Sequence, residues 1–559
     1  MNRWLGCFVG LSVVCAAQAQ VRPPANPLQT LPQTQAPKQA PSVNVTVQQQ
    51  RNPALEALLA SRLTPTRFDV QGAKAVPFET VAAIFRPLQG RDVSVADLIA
   101  AADKVTALYK EKGYALSFAF IPGQDFSGGV VRVDVVEGYV AEVTVKGDTG
   151  TLDKRIRRIA AHIVGERPLK QATFERYIQV LGQLPGAKIA ASVPPPTTTD
   201  GATRLDLNVT RQRYNATSGL DMNHPGTQGV VALMENALTP LGEQVSVSTL
   251  FPSGGRQKFY SASWIQPFGS NGWQGEADIS NFRGNPDNGE STLPAYLDHR
   301  LDQDKLSFSA HYPIILSNTR SLVANGGIYA SDQNDKYRNV DTGALLALQS
   351  HTRVVNASLA WVATYPKQTR QFSVEVAHGF NGLGAYSRAL TNIPGADASA
   401  IALPDVTFTR IDMSFAQTNQ WPHQFGTVIS ATGQYSNNTL PSTEQINFGG
   451  PRYALAYDPG DAAGDSGWAG ALEVNRKFVS SIKWVSSLVP YVVGQMARVY
   501  VNSGRPLIRN LDSVALGLRA SDGKHYTIDL AFAQPVGDKP PEDHSRSTRV
   551  NLTFSYRLK

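Results

Sequence analysis

Apolar and polar residues alternate without interruption in the C-terminal segment 549–559. Successive side chains of a β-strand point to opposite faces, so this segment would form a strand with one apolar face and one polar face. The apolar positions are Val550, Leu552, Phe554, Tyr556 and Leu558, and the polar positions are Arg549, Asn551, Thr553, Ser555 and Arg557.

The same alternation recurs back to about residue 213, in segments of about ten residues separated by turns. It predicts sixteen strands, near 213–223, 228–238, 243–252, 257–268, 272–284, 304–316, 320–331, 352–366, 370–381, 408–420, 425–436, 468–478, 486–501, 511–520, 525–535 and 546–558. Short turns alternate with long connections, which are expected around 285–303, 332–351, 382–407 and 437–467.

An even number of such strands, with short turns on one rim and long loops on the other, is typical of an antiparallel transmembrane β-barrel. We therefore predict a 16-stranded barrel over 213–559 that encloses an aqueous lumen. Its pore-lining candidates are Glu473, Asp529, Arg549 and Arg557.

Upstream of the barrel the periodicity becomes helical, and one order of elements occurs twice. The units 66–139 and 140–212 both read strand, helix, helix, strand, strand. Two copies of one topology at a spacing of about 70 residues form an internal repeat. The fold class is thus two tandem α+β domains followed by the barrel.

The helix ends in these units have recognisable signals. In the first unit the second helix is expected to begin after the N-cap Ser94, with Asp97 at the capping-box position, and to end at Gly113. In the second unit the first helix is expected to end at Gly165 and the second to be capped by Thr173.

The N-terminus has the parts of a secretory signal: a positive Arg3, an apolar run, and a small-x-small cleavage site at 17–19. Residues 1–19 are therefore expected to be removed on export. Cys7 and Cys15 both lie inside this segment, so we expect no disulfide or thiolate metal site in the mature chain.

Residues 20–65 are rich in proline, glutamine and alanine and predict a linker. Within it, a short helix is predicted over 53–63, with Asn52 as N-cap and Pro53 at its first position.

Charge changes this interpretation little. The chain carries a net charge of +7, which can be spread over loops and a pore lining, so no nucleic-acid partner is inferred. A basic cluster, Lys154, Arg155, Arg157 and Arg158, could contact lipid headgroups or cargo, although a solvated helix face is favoured.

Catalysis is not predicted, and no cofactor or metal is expected. Residues 464–467 resemble the nucleophile motif of trypsin-like proteases, but a catalytic triad also needs a positioned histidine and aspartate. The nine histidines are scattered without ligand spacing. We expect a protein that is not an enzyme.

Several fixed elements occur in order in the first unit: Tyr109-Lys110-Glu111-Lys112-Gly113-Tyr114, Ile121-Pro122-Gly123-Gln124, Gly128-Gly129 and Val135-Val136-Glu137-Gly138. This series resembles the first POTRA domain of two-partner secretion outer-membrane transporters, the haemolysin secretion/activation branch of the BamA-like POTRA-barrel superfamily. The resemblance implies that 66–139 and 140–212 are tandem POTRA domains, that 53–63 is a pore-plugging helix, and that 213–559 is an outer-membrane barrel. Its signature residues are Tyr109, Gly113, Tyr114, Pro122, Gln124, Gly129, Glu137 and Gly138.

A second stretch, within 437–467, resembles the long loop that folds into the lumen in that family. The family's loop carries an arginine that pairs with an aspartate on the barrel wall. The matching positions here are Leu455 and Gln495, so we expect the loop to be held by packing, with Arg452 as a shifted cation. The loop residues carried over are Gly449, Gly450, Arg452, Leu455, Tyr457, Asp465 and Gly467.

The resemblance implies a transporter that binds an unfolded partner exoprotein in the periplasm through its POTRA domains and secretes it through the barrel without ATP. Outer-membrane lipid and lipopolysaccharide would surround the barrel. Two alternatives remain: a BamA-like assembly factor for outer-membrane proteins, and a porin-type channel.

Overall fold

The computed structural model describes Leu59 and residues 61–558, except 197, 223–226, 252–256, 286–293, 399–400, 452, 483, 505, 507 and 542–544. The predicted signal segment and most of the linker and of the predicted helix 53–63 therefore lie outside the described residues. Within the part of the chain that the structure describes, no helix is both long and apolar enough to cross a bilayer.

The first module has the predicted order of elements. Helices α1 (Phe78–Phe85) and α2 (Val95–Glu111) pack on a three-stranded sheet, in which central β5 (Val130–Val136) is parallel to β2 (Arg67–Gln71) and antiparallel to β4 (Phe118–Phe120). The helices and the sheet enclose an apolar core that includes Val81, Phe85, Leu98, Val105, Tyr109, Val131 and Val133.

Two predictions in this module need correction. The end of the predicted helix 53–63 is wrong, because Arg62–Leu63 is strand β1 and pairs antiparallel with β3 (Val93–Ser94). The module therefore begins slightly before residue 66. The predicted strand 115–121 is shorter, because the chain turns where the Ser117 amide donates to the Tyr114 carbonyl. The capping box of Ser94 and Asp97 is confirmed.

The signature residues of this module hold its fold together. The Glu137 carboxylate accepts hydrogen bonds from the Tyr109 hydroxyl at 2.8 Å and from the Lys74 and Ala75 amides at 2.7 and 2.6 Å. Burial, together with this carboxylate, raises the pKa of Tyr109. One side chain thus ties α2 to the chain segment that enters α1.

Four of the remaining six signature residues shape turns. The Gln124 side chain forms hydrogen bonds with both the amide and the carbonyl of Arg132, at 2.8 and 2.9 Å, and a weaker one with the Pro122 carbonyl at 3.3 Å. Gly113 and Gly129 have φ of +88° and +66°, which favours glycine. Two others pack closely: Tyr114 against Tyr109, and Gly138 against the Leu116 carbonyl.

Replacing Tyr109 by phenylalanine is expected to destabilise the first module by about 1–3 kcal/mol, because Glu137 loses a donor while two backbone amides still hold it in place. Hydrogen exchange of α2 and β5 in the full-length chain would measure this loss. Tyr114→Phe is the control, because its hydroxyl has no hydrogen-bond partner among the described residues. Equal exchange in the two variants would contradict a structural role for the Tyr109 hydroxyl.

The second module repeats the topology. Helices α3 (Asp153–Val164) and α4 (Gln171–Gly182) pack on a sheet in which central β8 (Ala202–Arg211) is parallel to β6 (Tyr139–Gly147) and antiparallel to β7 (Ala187–Ser192). Gly165 caps α3 as predicted. The predicted cap at Thr173 is wrong, because α4 already begins at Gln171 and its N-cap Lys170 makes no side-chain capping bond.

A closed antiparallel barrel follows. Its segments are β9 (Tyr214–Asp221), β10 (Gln228–Asn236), β11 (Gln244–Phe251), β12 (Gln257–Phe268), β13 (Trp273–Gly284), β14 (Leu297–Leu316), β15 (Arg320–Asn339), β16 (Leu345–Tyr365), β17 (Gln368–Gly379), β18 (Tyr386–Thr391), β19 (Thr409–Gln420), β20 (Phe425–Ser436), β23 (Ser466–Arg476), β24 (Phe478–Ile482), β25 (Val485–Tyr500), β26 (Asn510–Ser521), β27 (Tyr526–Pro535) and β28 (Arg549–Leu558). The short hairpin β21 (Ile446–Phe448) and β22 (Ala462–Gly464) lies outside this ring.

The predicted number of sixteen strands is confirmed. Both β17 and β18 pair with β16, and both β23 and β24 pair with β25, so each of these pairs of segments is one interrupted strand. The ring closes where β28 pairs with β9, from Thr553 opposite Asp221 to Leu558 opposite Ala216.

Large apolar side chains point outward and form two aromatic girdles. The rim nearest the two modules exposes Phe268, Trp273, Tyr365, Trp421, Phe425, Phe478, Trp484 and Tyr556. The opposite rim, hereafter the distal rim, exposes Phe251, Tyr435, Trp468 and Tyr500. Aromatic girdles on both sides of an apolar band are what a transmembrane barrel requires at the two membrane interfaces.

Three of the predicted long connections are wrong in extent, and the one predicted over 382–407 contains the strand segment β18. Strands β14, β15 and β16 have 20, 20 and 21 residues, so most of 332–351 is strand and only 340–344 forms the turn. The connection predicted at 285–303 likewise ends where β14 begins at Leu297. These extensions carry the sheet beyond the distal girdle. There β14 and β15 are mostly polar on both faces and β16 begins with the unbroken apolar run 345–348, so alternation no longer marks a strand.

Candidate functional site

The connection between β20 and β23, residues 437–465, folds back into the barrel and is here called the inward loop. It contains the hairpin β21–β22, and its side chains join an apolar cluster with the barrel wall. The loop contributes Phe448, Tyr453, Ala454, Ala456, Tyr457 and Ala462, and the wall contributes Tyr491, Val493, Ala497, Val499, Leu511, Ala515, Ala531 and Ala533. Arg452, predicted as a shifted cation, lies outside the described residues.

The tip of the inward loop is fixed through the backbone of one residue. The Leu455 amide donates to Gln495 Oε1 on β25 at 2.8 Å, and the Leu455 carbonyl accepts from Asn551 Nδ2 on β28 at 2.9 Å. Gln495 Oε1 also accepts from the Ser513 hydroxyl at 3.0 Å. The structure therefore brings together the two positions that sequence analysis paired, although neither carries a charge.

A buried ion pair lies three residues beyond this tip. Asp458 of the loop pairs with Arg549 of β28, and the two side chains are only 6% and 16% exposed. The loop packs against the wall as expected, but this ion pair, which was not expected, also holds it. Compared with the arrangement implied by the family, the polarity is reversed: here the loop supplies the acid and the wall supplies the arginine.

Tyr457 adds a third anchor beside the ion pair. This residue is fully buried, and its hydroxyl donates to the Asp538 carbonyl at 2.7 Å. Asp538 lies in the connection between β27 and β28, so this bond fixes the loop to the distal rim.

Two glycines allow the inward loop to turn tightly. Gly449 has φ of +117°, and a Cβ atom there would lie 1.9 Å from the Asp458 carbonyl oxygen. Gly450 has φ of +72° and its amide donates to the Tyr457 carbonyl at 2.9 Å. Both motif glycines are therefore required by a left-handed backbone and a close approach of two chain segments.

Asp465 closes the base of the loop. Its carboxylate accepts from the Leu440 amide at 2.7 Å, the Asn502 amide at 2.7 Å and Gln445 Nε2 at 3.2 Å. Gly467 follows on β23, where a Cβ atom would lie 2.7 Å from the Arg498 carbonyl oxygen.

The first arm of the loop is anchored to the opposite wall. Glu444 accepts from the Tyr329 hydroxyl at 2.7 Å and from Arg410 Nε at 3.1 Å, and Ser442 donates to Gln333 Oε1 at 2.9 Å. Together with the contacts to β25 and β28, these bonds make the loop a strap across the lumen. These anchors were not predicted from the sequence, because the partners lie on strands far away in the sequence and belong to no motif.

Under the loop tip lies a charged wall cluster. Arg519 on β26 forms a two-point ion pair with Glu473 at 2.8 and 2.7 Å and a further one with Asp529 at 2.8 Å. Tyr491 lies under the guanidinium group at 4.0 Å and donates to Asp529 at 2.7 Å. These residues and Leu455 line a cavity of about 170 Å³.

The pore-lining candidates thus separate into three roles. Glu473 and Asp529 belong to the charged wall cluster, and Arg549 anchors the inward loop. Arg557 lies opposite Thr217 near the end of β28, and its side chain has no ion pair or hydrogen bond among the residues the structure describes.

Replacing Arg519 by glutamine is expected to make the pore more cation-selective, because Glu473 and Asp529 lose the positive charge between them. The reversal potential of the protein in a planar bilayer under a salt gradient measures this selectivity. Arg388→Gln removes one positive charge from the exposed side of β18 and serves as control. A shift of the same size in both variants would contradict a pore-lining role for Arg519.

No group of three or more histidine, cysteine, aspartate or glutamate side chains in the described ranges has the geometry to hold a metal ion. The charged groups of the lumen instead neutralise one another in pairs and small clusters. Their arrangement positions the loop and lines the cavity under its tip.

Two family profiles match the chain. The ShlB-type POTRA domain matches residues 63–138, and the haemolysin secretion/activation protein family ShlB/FhaC/HecB matches residues 244–520. The heme/hemopexin transporter protein HuxB of Haemophilus influenzae is 21% identical over 493 residues, which cover 85% of this chain and 83% of HuxB. The outer membrane transporter CdiB of an Escherichia coli strain is 32% identical over 84 residues, 15% of this chain.

Solved structures show the same fold. CdiB from Escherichia coli superposes with a TM-score of 0.67 at 16% identity, covering 99% of this chain and 98% of CdiB. BamA from Haemophilus ducreyi, lacking POTRA domains 1–3, gives a TM-score of 0.51 at 12% identity and covers 89% of this chain. The modules are POTRA domains on the periplasmic side of an outer-membrane barrel, and the chain belongs to the ShlB/FhaC/HecB family of two-partner secretion transporters.

Proposed function

We propose that the protein secretes an unfolded partner exoprotein, which it receives in the periplasm through its POTRA domains and passes through the barrel lumen. The observation that carries this proposal is the inward loop. It crosses the lumen and is held by separate anchors on opposite walls, whereas a packed core would have to unfold to open. Breaking these anchors would displace the inward loop without unfolding the barrel, which would open a path for the cargo.

Recognition is proposed to use the free edges of the POTRA sheets. Strand β4 lies at one edge of the first sheet and β7 at one edge of the second. An edge strand presents unpaired amides and carbonyls, to which an extended peptide can add as a further strand. Because backbone bonds supply most of the affinity in this mode, an unfolded chain can bind before it has any folded surface.

The proposal involves no catalytic step, metal or cofactor, and no ATP. Net export would be driven by folding of the cargo outside the cell, which removes the unfolded species from the transport equilibrium by mass action. In this mechanism, binding of the cargo would supply the free energy that displaces the inward loop.

The test compares cells that lack the gene with the same cells complemented by the wild-type gene. Proteins of the medium and of the outer membrane are quantified by mass spectrometry. We expect one large protein to disappear from the medium, with other barrel proteins unchanged. An unchanged medium together with a fall in several outer-membrane proteins would instead establish an assembly factor.

A further inference from the structure

One face of α3 in the second POTRA domain lies against the periplasmic rim of the barrel. Arg155, Arg158 and His162 follow one another at helical spacing along this face. Arg155 Nη1 donates to the Gly269 carbonyl at 3.1 Å, and His162 Nε2 lies 2.8 Å from the Ser270 hydroxyl. Both partners belong to the turn between β12 and β13, so the position of α3 relative to the membrane is defined.

The same turn carries part of the periplasmic aromatic girdle. Phe268 and Trp273 flank it on the outer surface and are 53% and 48% exposed. Arg155 lines a small cavity with both rings. The neighbouring turn between β10 and β11 exposes Leu238 and Leu241. Exposed aromatic and aliphatic side chains at a barrel rim mark the level of the lipid headgroups.

Two cations of α3 have no counterion at this level within the described part of the chain. Lys154 and Arg158 are exposed, and neither forms an ion pair or hydrogen bond with any residue that the structure describes. Arg157, by contrast, pairs with Asp153 at 2.9 Å. The nearby acid Glu243 is buried, and its carboxylate is bound by the Thr239 amide and hydroxyl at 2.9 and 2.6 Å.

We propose that Lys154, Arg155 and Arg158 of α3, together with Phe268 and Trp273, form a binding surface for anionic phospholipid headgroups of the periplasmic leaflet. The aromatic rings fix the depth of the barrel in the bilayer, and the cations then meet the phosphate layer beside it. This surface is independent of the cargo path, because it lies on the outside of the rim. The sequence-based preference for a solvated helix face is the alternative that the experiments test against.

The first experiment measures lipid binding to the full-length protein in mild detergent by native mass spectrometry. The probes are dioleoyl-phosphatidylglycerol and dioleoyl-phosphatidylethanolamine. We expect phosphatidylglycerol to bind at least about fivefold more tightly, since each cation near a membrane surface contributes roughly that factor. The preference should disappear in the Lys154→Gln/Arg158→Gln variant and weaken with added salt.

The matched control is Lys104→Gln/Lys110→Gln, which removes the same charge from exposed positions on α2 of the first POTRA domain. It should keep the preference for phosphatidylglycerol. Equal affinity for the two lipids in the wild-type protein, or the same loss of preference in both variants, would overturn the proposal.

A second experiment locates the lipid. Photoreactive phosphatidylglycerol in vesicles that contain the full-length protein should crosslink mainly to α3 and to the turn between β12 and β13. Crosslinks spread evenly around the periplasmic girdle would show that the barrel only contacts bulk lipid, and would overturn the assignment.

Discussion

Replacing Asp458 by asparagine is expected to release the tip of the inward loop and to increase the mean conductance of the pore. Arg549 would remain largely buried without this carboxylate, and breaking a buried ion pair in this way costs about 3–5 kcal/mol. The remaining bonds of the tip, from Leu455 to Gln495 and Asn551 and from Tyr457 to Asp538, are each worth less, so they are not expected to keep the tip closed. Single-channel recordings in planar bilayers measure the change.

A charge swap distinguishes the ion pair from simple disturbance of the site. Asp458→Arg and Arg549→Asp should each open the pore, and the double variant should recover a substantial part of the closed state. Asp341→Asn, in an exposed distal turn, is the control and should conduct like the wild type. A double variant that conducts more than either single variant would contradict a pairwise latch.

Replacing Gly449 by alanine is expected to prevent the inward loop from folding back at all. The new Cβ atom would meet the Asp458 carbonyl oxygen, so the backbone must move at the point where the ion pair begins. We expect frequent open-channel events and faster cleavage of the loop by protease added to intact cells.

The control for this variant is Gly343→Ala in the turn between β15 and β16. Gly343 also has a positive φ, +71°, but no atom lies within 4 Å of its added Cβ. The Gly343→Ala variant therefore has only the cost of a side chain on a left-handed backbone, about 1–2 kcal/mol. Similar conductance in the two alanine variants would show that the close approach at Gly449 does not position the loop.

The barrel could be predicted from the sequence because of one rule: every second residue of a membrane-spanning strand faces lipid and is therefore apolar. The predicted segment 257–268 coincides with β12, for instance, and 425–436 with β20. The prediction failed where that rule ends. Beyond the distal girdle, His299, Gln303 and Asp335 are buried by polar neighbours, so no apolar alternation marks those residues as strand.

The candidate site was predicted only in part for a related reason. The motif around Gly449 located the loop, and Gln495 was placed on the wall that faces it. The reversed ion pair was not predicted, because Asp458 and Arg549 look like ordinary loop and pore-lining charges until the fold brings them together. Glu444 and Arg410 were missed on the same ground.

The long strands β14, β15 and β16 have a consequence for what the cell presents to its surroundings. A strand of 20 residues spans about 50 Å along the barrel axis when tilted, roughly twice the apolar band. The hairpin turn 340–344 would therefore stand on a stiff ribbon well outside the membrane, where antibodies reach it. An epitope inserted there offers a way to count and orient the protein on living cells without touching its lumen.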